Sequence, residues 1–106
     1  MADESREVLL RREFHGQTAR IDWHDLQTAY ARGSVIEVAS HLDLVEVAVQ
    51  LGLDNTAQFS RWIEEGAIAS PDDEQARLWF EGNPKVWAVV APPWVLIQLR
   101  RAGQSA

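Results

Sequence analysis

The sequence contains no cysteine. That absence excludes disulfides, thiolate-bound zinc, iron–sulfur clusters and cysteine nucleophiles, and it suits a reducing compartment. The sequence also has no apolar run long enough to span a bilayer, which takes about 20 residues as a helix. The stretch nearest to one, "KVWAVVAPPWVLIQ", is interrupted by Pro92 and Pro93. With no basic region followed by an apolar run at the start, we predict a cytoplasmic protein that neither enters a membrane nor carries a secretory signal.

Positive charge is also scarce, since 10 lysine and arginine residues face 16 acidic residues and the net charge is −6. A phosphate backbone would be repelled on average, so nucleic-acid binding would need a segregated basic patch. Only arginines near the two ends of the chain would supply one: Arg6, Arg11, Arg12, Arg100 and Arg101. We therefore expect no direct nucleic-acid contact and keep a nucleic-acid-associated regulator as the weakest functional alternative.

What is present resembles an ordinary globular domain. The chain has 106 residues, 46% of them hydrophobic and 25% charged, which is enough to bury one core without disulfides or metals. We predict a single domain over 1–106, with the ends at 1–16 and 100–106 prone to fray.

Helices are predicted where apolar residues recur at intervals of three and four between capping residues and glycines. The pattern predicts helices over 3–14, over 23–32 with Asp22 as N-cap, and over 41–51 with Ser40 as N-cap. A further helix follows Asp54 or Asn55 and ends at Gly66, with Phe59, Trp62 and Ile63 on one face. Another begins at Ser70 and Pro71 and ends after Glu81.

Strands are predicted where β-branched and aromatic residues alternate with polar ones or bracket prolines. These segments are 18–21, 34–39, 86–90 and 94–99, with a short edge strand at 67–69. The runs at 86–90 and 94–99, which Pro92 and Pro93 separate, are two strands or one sharply bent strand. The fold class predicted is α+β, a small, mostly antiparallel sheet of three to five strands packed with four to five helices. Glu37 is expected to face Arg20, and one core is expected to unite the large apolar residues Leu44, Val47, Trp62, Trp79, Val89 and Leu96.

Three stretches, "IDWHDLQ", "LDLVEVAV" and "WAVVAPPWVLIQ", resemble in order and spacing a family of small bacterial proteins classified only as a domain of unknown function. The likeness spans roughly residues 17 to 99. Asp22 stands where the resemblance leads us to expect a proline, and Pro92-Pro93 stands where it leads us to expect one proline, so these departures concern local geometry. The resemblance implies a bacterial, cytoplasmic, single-domain protein, and it carries no activity or cofactor to this chain.

Catalytic and ligand-binding motifs are sparse. His24, between Asp22 and Asp25, is the best metal or acid–base candidate, but the pattern favours an exposed residue in the first turn of a helix. Each glycine near a helix end is accounted for by a left-handed cap, so no phosphate loop is expected. We predict no metal and no cofactor. One polar pair, Asp43 and Glu46, is spaced i, i+3 on an apolar helix, either as a carboxylate site in a cleft or as a polar stripe.

Five tryptophans are many for this length. Three fall on apolar helix faces and are expected in the core, while Trp87 and Trp94 flank Pro92 and Pro93 on the last two strands. Because large aromatic residues are frequent at interaction hot spots, these four residues form a candidate surface for a homodimer or a protein partner. The leading hypothesis is a non-catalytic protein-interaction module. The alternative is a small-molecule binder or enzyme that uses Asp43 and Glu46.

Overall fold

A computed structural model of the chain describes residues 5–99. Within that range five helices surround one five-stranded sheet whose strand order is β1-β4-β5-β2-β3. The helices are α1 Arg6–Gln17, α2 Gln27–Ala31, α3 Leu44–Gly52, α4 Thr56–Glu64 and α5 Asp73–Gly82. The strands are β1 Ala19–Asp22, β2 Val35–Val38, β3 Ile68–Ala69, β4 Lys85–Ala91 and β5 Trp94–Gln98. The predicted α+β class is confirmed.

The sheet is mixed, because β2 and β5 run parallel while the other three neighbouring pairs are antiparallel. The last two strands, β4 and β5, form a hairpin at the centre of the sheet, with Ala91 opposite Trp94 and a cis Pro92-Pro93 peptide in the turn. The prolines therefore lie at the tip of a central hairpin, and the two edge strands are β1 and β3. The short edge strand predicted at 67–69 is confirmed as β3.

The sheet separates two apolar clusters, one on each face. The first is built around α3 and contains Leu44, Val47, Trp62, Val89 and Leu96, as expected. Trp79 is buried as well, but it belongs to the second cluster, with Trp23 and Leu26. The prediction of one shared core was wrong for Trp79 because neighbouring residues of a strand point to opposite faces, so a central sheet builds two cores.

Two helix starts lie two or three residues later than predicted. The cap of α3 is Asp43, whose carboxylate accepts hydrogen bonds from the backbone N–H groups of Val45 and Glu46, and not Ser40. The cap of α5 is Asp72, which accepts from the N–H of Gln75, and not Ser70. In both cases an aspartate carboxylate two or three residues downstream takes the capping role from a serine hydroxyl.

The segment predicted as one helix over 23–32 begins as a 3-10 turn, Trp23–Leu26, and continues as the short α2. Asp22 makes no side-chain capping bond there. Its carboxylate instead accepts a hydrogen bond from the Lys85 ammonium at 2.8 Å across the β1–β4 pair. The chain leaves α2 through Gly33, whose φ of +75° is the left-handed conformation expected after a helix.

Not every glycine has that role. The left-handed residue after α5 is Asn83, with φ of +45°, and not Gly82. At Gly52 the reason is space, because a Cβ there would lie 3.0 Å from a methyl carbon of Leu10. Gly52 thus allows α1 to approach the end of α3, where its carbonyl also accepts from the Arg6 guanidinium at 2.9 Å.

The expected pairing of Glu37 with Arg20 is wrong. Their strands, β2 and β1, are separated in the sheet by β5 and β4. Arg20 lies opposite Trp87 on β4, with its guanidinium carbon 5.6 Å from the ring centroid, a cation–π distance. Sequence adjacency of two strands did not predict spatial adjacency, because the β4–β5 hairpin inserts between them.

Candidate functional site

The predicted polar pair is accounted for by structural contacts. Asp43 is exposed and caps α3. Glu46 is half-buried one turn later, where its carboxylate binds the Arg11 guanidinium of α1 at 2.5 Å and accepts from the Gln50 amide at 2.6 Å. The hydrogen bond to Glu46 also raises the pKa of Arg11, which keeps this guanidinium charged. These contacts attach α1 to α3, and neither carboxylate needs a substrate to explain its position.

The arginines of α1 are similarly engaged. Arg6 donates to the Gly52 carbonyl, and Arg11 binds both Glu7 and Glu46. A guanidinium already bound to carboxylates has less to gain from a phosphate. Arg100 and Arg101, the other half of the candidate basic patch, lie outside the described residues.

Among the carboxylates of residues 5–99, Glu37 is the one whose pKa the fold shifts most clearly. It lies half-buried on β2, where burial first and the nearby Asp72 second raise its pKa above the ordinary value for a glutamate. A carboxyl group with a raised pKa binds its proton more tightly in the folded state, so its ionisation lowers stability as pH rises through that pKa.

Glu37→Gln is therefore expected to raise the melting temperature at pH 7, because the amide removes a charge that burial disfavours. Below about pH 4, under the unperturbed value for glutamate, wild type and variant should converge. Thermal melts from pH 3 to pH 8 measure this difference, and Glu64→Gln, at an exposed position of α4, is the control. A pH-independent difference, or a lower melting temperature for Glu37→Gln at pH 7, would contradict this assignment.

His24 is exposed, as the pattern favoured. Its Nε2 lies 2.7 Å from the Phe80 carbonyl oxygen, and its ring packs on the Phe80 ring with centroids 4.7 Å apart. The backbone N–H of His24 donates to the Asn83 side chain at 3.0 Å. His24 thus connects the 3-10 turn to the end of α5. Among residues 5–99 no group of three or more histidine, aspartate or glutamate side chains is arranged to hold a metal ion.

The four residues of the candidate interaction surface do not form one patch. Trp87 and Trp94 lie on the same face of the hairpin, but Trp87 pairs with Gln98 while Trp94 pairs with Ala91 at the tip. Four residues of strand separate the two positions along β4, about 13 Å. Trp87 contacts Arg20, and both prolines are exposed beside Trp94. The structure therefore keeps Trp94, Pro92 and Pro93 together and places Trp87 elsewhere.

Trp94 opens onto an apolar groove of about 440 Å³, which we call the Trp94 groove. The sheet supplies its floor through Trp94, Ile36 and Ile68, and α4 supplies the opposite wall through Phe59 and Ile63. Its remaining lining consists of small residues, Gly66, Ala69 and Ser70. Ile63 is 55% exposed although it belongs to the apolar side of α4. None of the eight lining residues carries a titratable side chain.

The sequence predicts which residues form the α4 wall of this groove, but not that part of the wall is exposed. The spacing predicts that Phe59, Trp62 and Ile63 share one apolar face of α4, yet only Trp62 is buried. Phe59 is half-buried, and Ile63 faces solvent. The width of the apolar stripe on α4 was the sequence signal that could have indicated this exposure. Three large apolar residues within five positions exceed what one short helix buries against a sheet edge.

Carboxylates lie at both ends of α4. Asp54 lines a smaller cavity of about 170 Å³ at the start of the helix, and that cavity shares Phe59 with the Trp94 groove. Glu64 and Glu65, both exposed, precede Gly66 at the other end of the groove. Arg61 is the one basic residue between positions 54 and 66. The small cavity and the Trp94 groove, which both run along α4, therefore have acidic residues at the two ends of the helix.

Comparison with known proteins identifies relatives without describing an activity. None of the helices in residues 5–99 has the length and apolarity needed to cross a membrane. No protein with a curated description matches the chain. The NMR solution structure of PA1075 from Pseudomonas aeruginosa is similar, with 35% sequence identity and a TM-score of 0.77. The match covers 100% of this chain and 96% of that one. Residues 9–99 match a family model described as a protein of unknown function, DUF2288, and the chain belongs to that family.

Proposed function

We propose that this protein is a non-catalytic interaction module that binds a segment of another polypeptide in the Trp94 groove. The observation that carries the proposal is the lining of the groove, which combines five large apolar side chains with no titratable group. Such a lining favours burial of apolar side chains, and it provides no acid, base or nucleophile apart from the lone hydroxyl of Ser70. The lack of cysteine suits action in the cytoplasm, where we propose that the protein resides.

The chemistry of the partner follows from the surroundings of the groove. An apolar floor and wall require large apolar side chains, and the carboxylates of Asp54, Glu64 and Glu65 favour basic groups at the two ends of the bound segment. The nine residues of α4 span about 14 Å, which sets the separation of those basic groups. We therefore propose a partner segment with two or three large apolar residues bounded by lysine or arginine.

The enzymatic alternative receives no comparable support. It requires Asp43 and Glu46 to act together in a cleft, but Asp43 is engaged at the N-terminus of α3 and Glu46 is bound to Arg11. Both side chains already have the partners that a substrate would have to replace. Neither residue lines the Trp94 groove.

Peptide selection tests the proposal and identifies the sequences that the groove prefers. A random peptide library displayed on phage is selected on the wild-type protein, and the enriched peptides are synthesised and titrated by fluorescence anisotropy. We expect apolar peptides with basic ends to bind with micromolar affinity. Ile63→Gln should weaken them by about tenfold or more, because a bound peptide would bury the amide in the apolar wall without a hydrogen-bond partner.

The control is Leu78→Gln, which makes the same kind of change at a similarly exposed apolar residue, 49% accessible on α5. It should leave peptide affinity unchanged. Circular dichroism should show both variants folded, since both replaced side chains face solvent. The proposal fails if the selected peptides bind Ile63→Gln as tightly as wild type, or if selection enriches acidic peptides.

A further inference from the structure

The first strand, β1, presents an open edge of the sheet. One side of β1 pairs with β4. Directly after β1, the Trp23 N–H donates to the carbonyl of Pro84, the residue opposite it in this pair, so the backbone groups of Trp23 point toward β4. In an antiparallel pair the bonded positions alternate, so Ile21 and Ala19 also face β4 with their backbone groups. The N–H and C=O groups of Arg20 and the N–H group of Asp22 therefore point away from β4. The Asp22 carbonyl differs, because Asp22 is the N-cap of the 3-10 turn and its carbonyl accepts the first hydrogen bond of that turn.

Natural sheets commonly protect such an edge with charged side chains that project over it. Here both charged side chains are directed across the sheet to the neighbouring strand. The Arg20 guanidinium lies over the Trp87 ring, and the Asp22 carboxylate binds Lys85 at 2.8 Å. The second edge strand differs, because β3 has two residues and its Ile68 is only 1% exposed. The edge open to a further strand is thus β1.

The sequence of β1, Ala-Arg-Ile-Asp, determines what fits that edge. An added antiparallel strand from a second copy must pair outward-facing residues with outward-facing residues, which allows three registers. Centring on Arg20 places two arginines opposite each other, and centring on Asp22 places two aspartates opposite each other. Centring on Ile21 gives two Arg20–Asp22 pairs, because Arg20 of each copy lies opposite Asp22 of the other. The Ile21 side chains of the two copies then pair with each other on the other face of the joined sheet. Only this register is complementary in charge.

We propose that the protein forms a symmetric homodimer in which the β1 strands of two copies pair antiparallel about Ile21. The contact joins the two sheets into one of ten strands, with two new backbone hydrogen bonds, each from the Asp22 N–H of one copy to the Arg20 carbonyl of the other. A two-fold axis relates the copies, so the interface is closed and does not propagate into a filament. This interface is separate from the Trp94 groove, which lies at the other side of the sheet beside β3.

Four residues of strand bury less surface than a standard stable interface, so the dimer should be weak and concentration-dependent. Sedimentation equilibrium from about 10 μM to about 1 mM should show a monomer–dimer transition in the wild type. Arg20→Asp places like charges opposite each other at two positions and should weaken the dimer about tenfold. The double variant R20D/D22R exchanges the charges, restores complementarity and should recover at least part of that loss.

A cysteine scan locates the contact, because the natural chain has no cysteine. In the proposed register Ile21 faces its own copy across a non-bonded pair, where Cα atoms lie about 4.5 Å apart, within the range that a disulfide spans. I21C should therefore form a covalent dimer on mild oxidation. L78C, at an exposed position of α5, should not.

A wild type that remains monomeric at about 1 mM would overturn the proposal. So would a dimer that I21C fails to trap in a protein shown to be folded by circular dichroism, because the contact would then lie elsewhere. Ile63→Gln should leave the dimer intact, which separates this interface from peptide binding in the Trp94 groove.

Discussion

Val47→Asp is expected to destabilise the protein by several kcal/mol, enough to remove most of the free energy of unfolding of a small domain. Val47 lies in the middle of α3 with 0% exposure, inside the apolar cluster that α3 forms with the sheet. An aspartate there would be an unpaired carboxylate among apolar neighbours, and the loss of the valine methyls would add to the cost. Urea denaturation followed by tryptophan fluorescence measures the change.

The matched control is Val8→Asp, the same substitution on the exposed side of α1, where the valine is 44% accessible. It should change stability by no more than about 0.5 kcal/mol, because its carboxylate stays in water. Similar denaturation midpoints for Val47→Asp and Val8→Asp would show that α3 does not bury this face.

Trp23→Ala is expected to cost about 3 to 5 kcal/mol, the range for removing a large aromatic side chain from a core. Trp23 has 0% exposure and lies on the opposite face of the sheet from Val47. Its ring meets the Trp79 ring edge-on with centroids 4.9 Å apart and the Tyr30 ring at 5.7 Å. Removing it leaves a cavity between α2, α5 and the sheet, and thermal or urea unfolding reports the loss.

Trp23→Phe separates packing from hydrogen bonding. The indole Nε1 of Trp23 is buried and has no hydrogen-bond partner within residues 5–99, so phenylalanine removes volume without breaking a bond seen there. We expect this variant to cost about 1 to 2 kcal/mol, clearly less than alanine. Equal losses for Trp23→Phe and Trp23→Ala would mean that the indole nitrogen has a partner, such as a bound water, that contributes more than the ring contacts.

Local sequence was informative wherever one physical preference dominated a short segment. Alternation and β-branching predicted β2 and β5 to within about one residue. The doubled proline predicted an interruption between the last two β-rich runs, and the structure decided that this interruption is a hairpin turn and not a bend in one strand. Helix caps were harder, because Ser40 and Asp43, or Ser70 and Asp72, are competing caps within one turn. The choice depends on where the chain leaves the preceding strand, and that is a tertiary constraint.

The candidate site shows the same division. Trp94 was recognisable as a large aromatic residue beside prolines, but its groove also requires Ile36 from β2 and Ile63 from α4. Ile36 lies 58 positions before Trp94 in the chain, and Ile63 lies 31 positions before it. The sequence analysis grouped Trp87 with Trp94 because the two are near in the chain. In the β4–β5 pair, however, they lie four residues apart along the strand. A groove between non-adjacent segments has no local signature.

The sequence by itself determined the class of fold, the approximate positions of most elements, and the exclusion of cysteine chemistry, because each depends on composition or on residues a few positions apart. The tertiary structure decided the strand order, which inserts the β4–β5 hairpin between β1 and β2 and so divides the apolar residues into two cores. It also decided that β1 is an open edge and that α4 leaves one wall of a groove uncovered. These features depend on which distant segments meet, and that choice follows from burying all apolar faces of the chain at once rather than from any one segment.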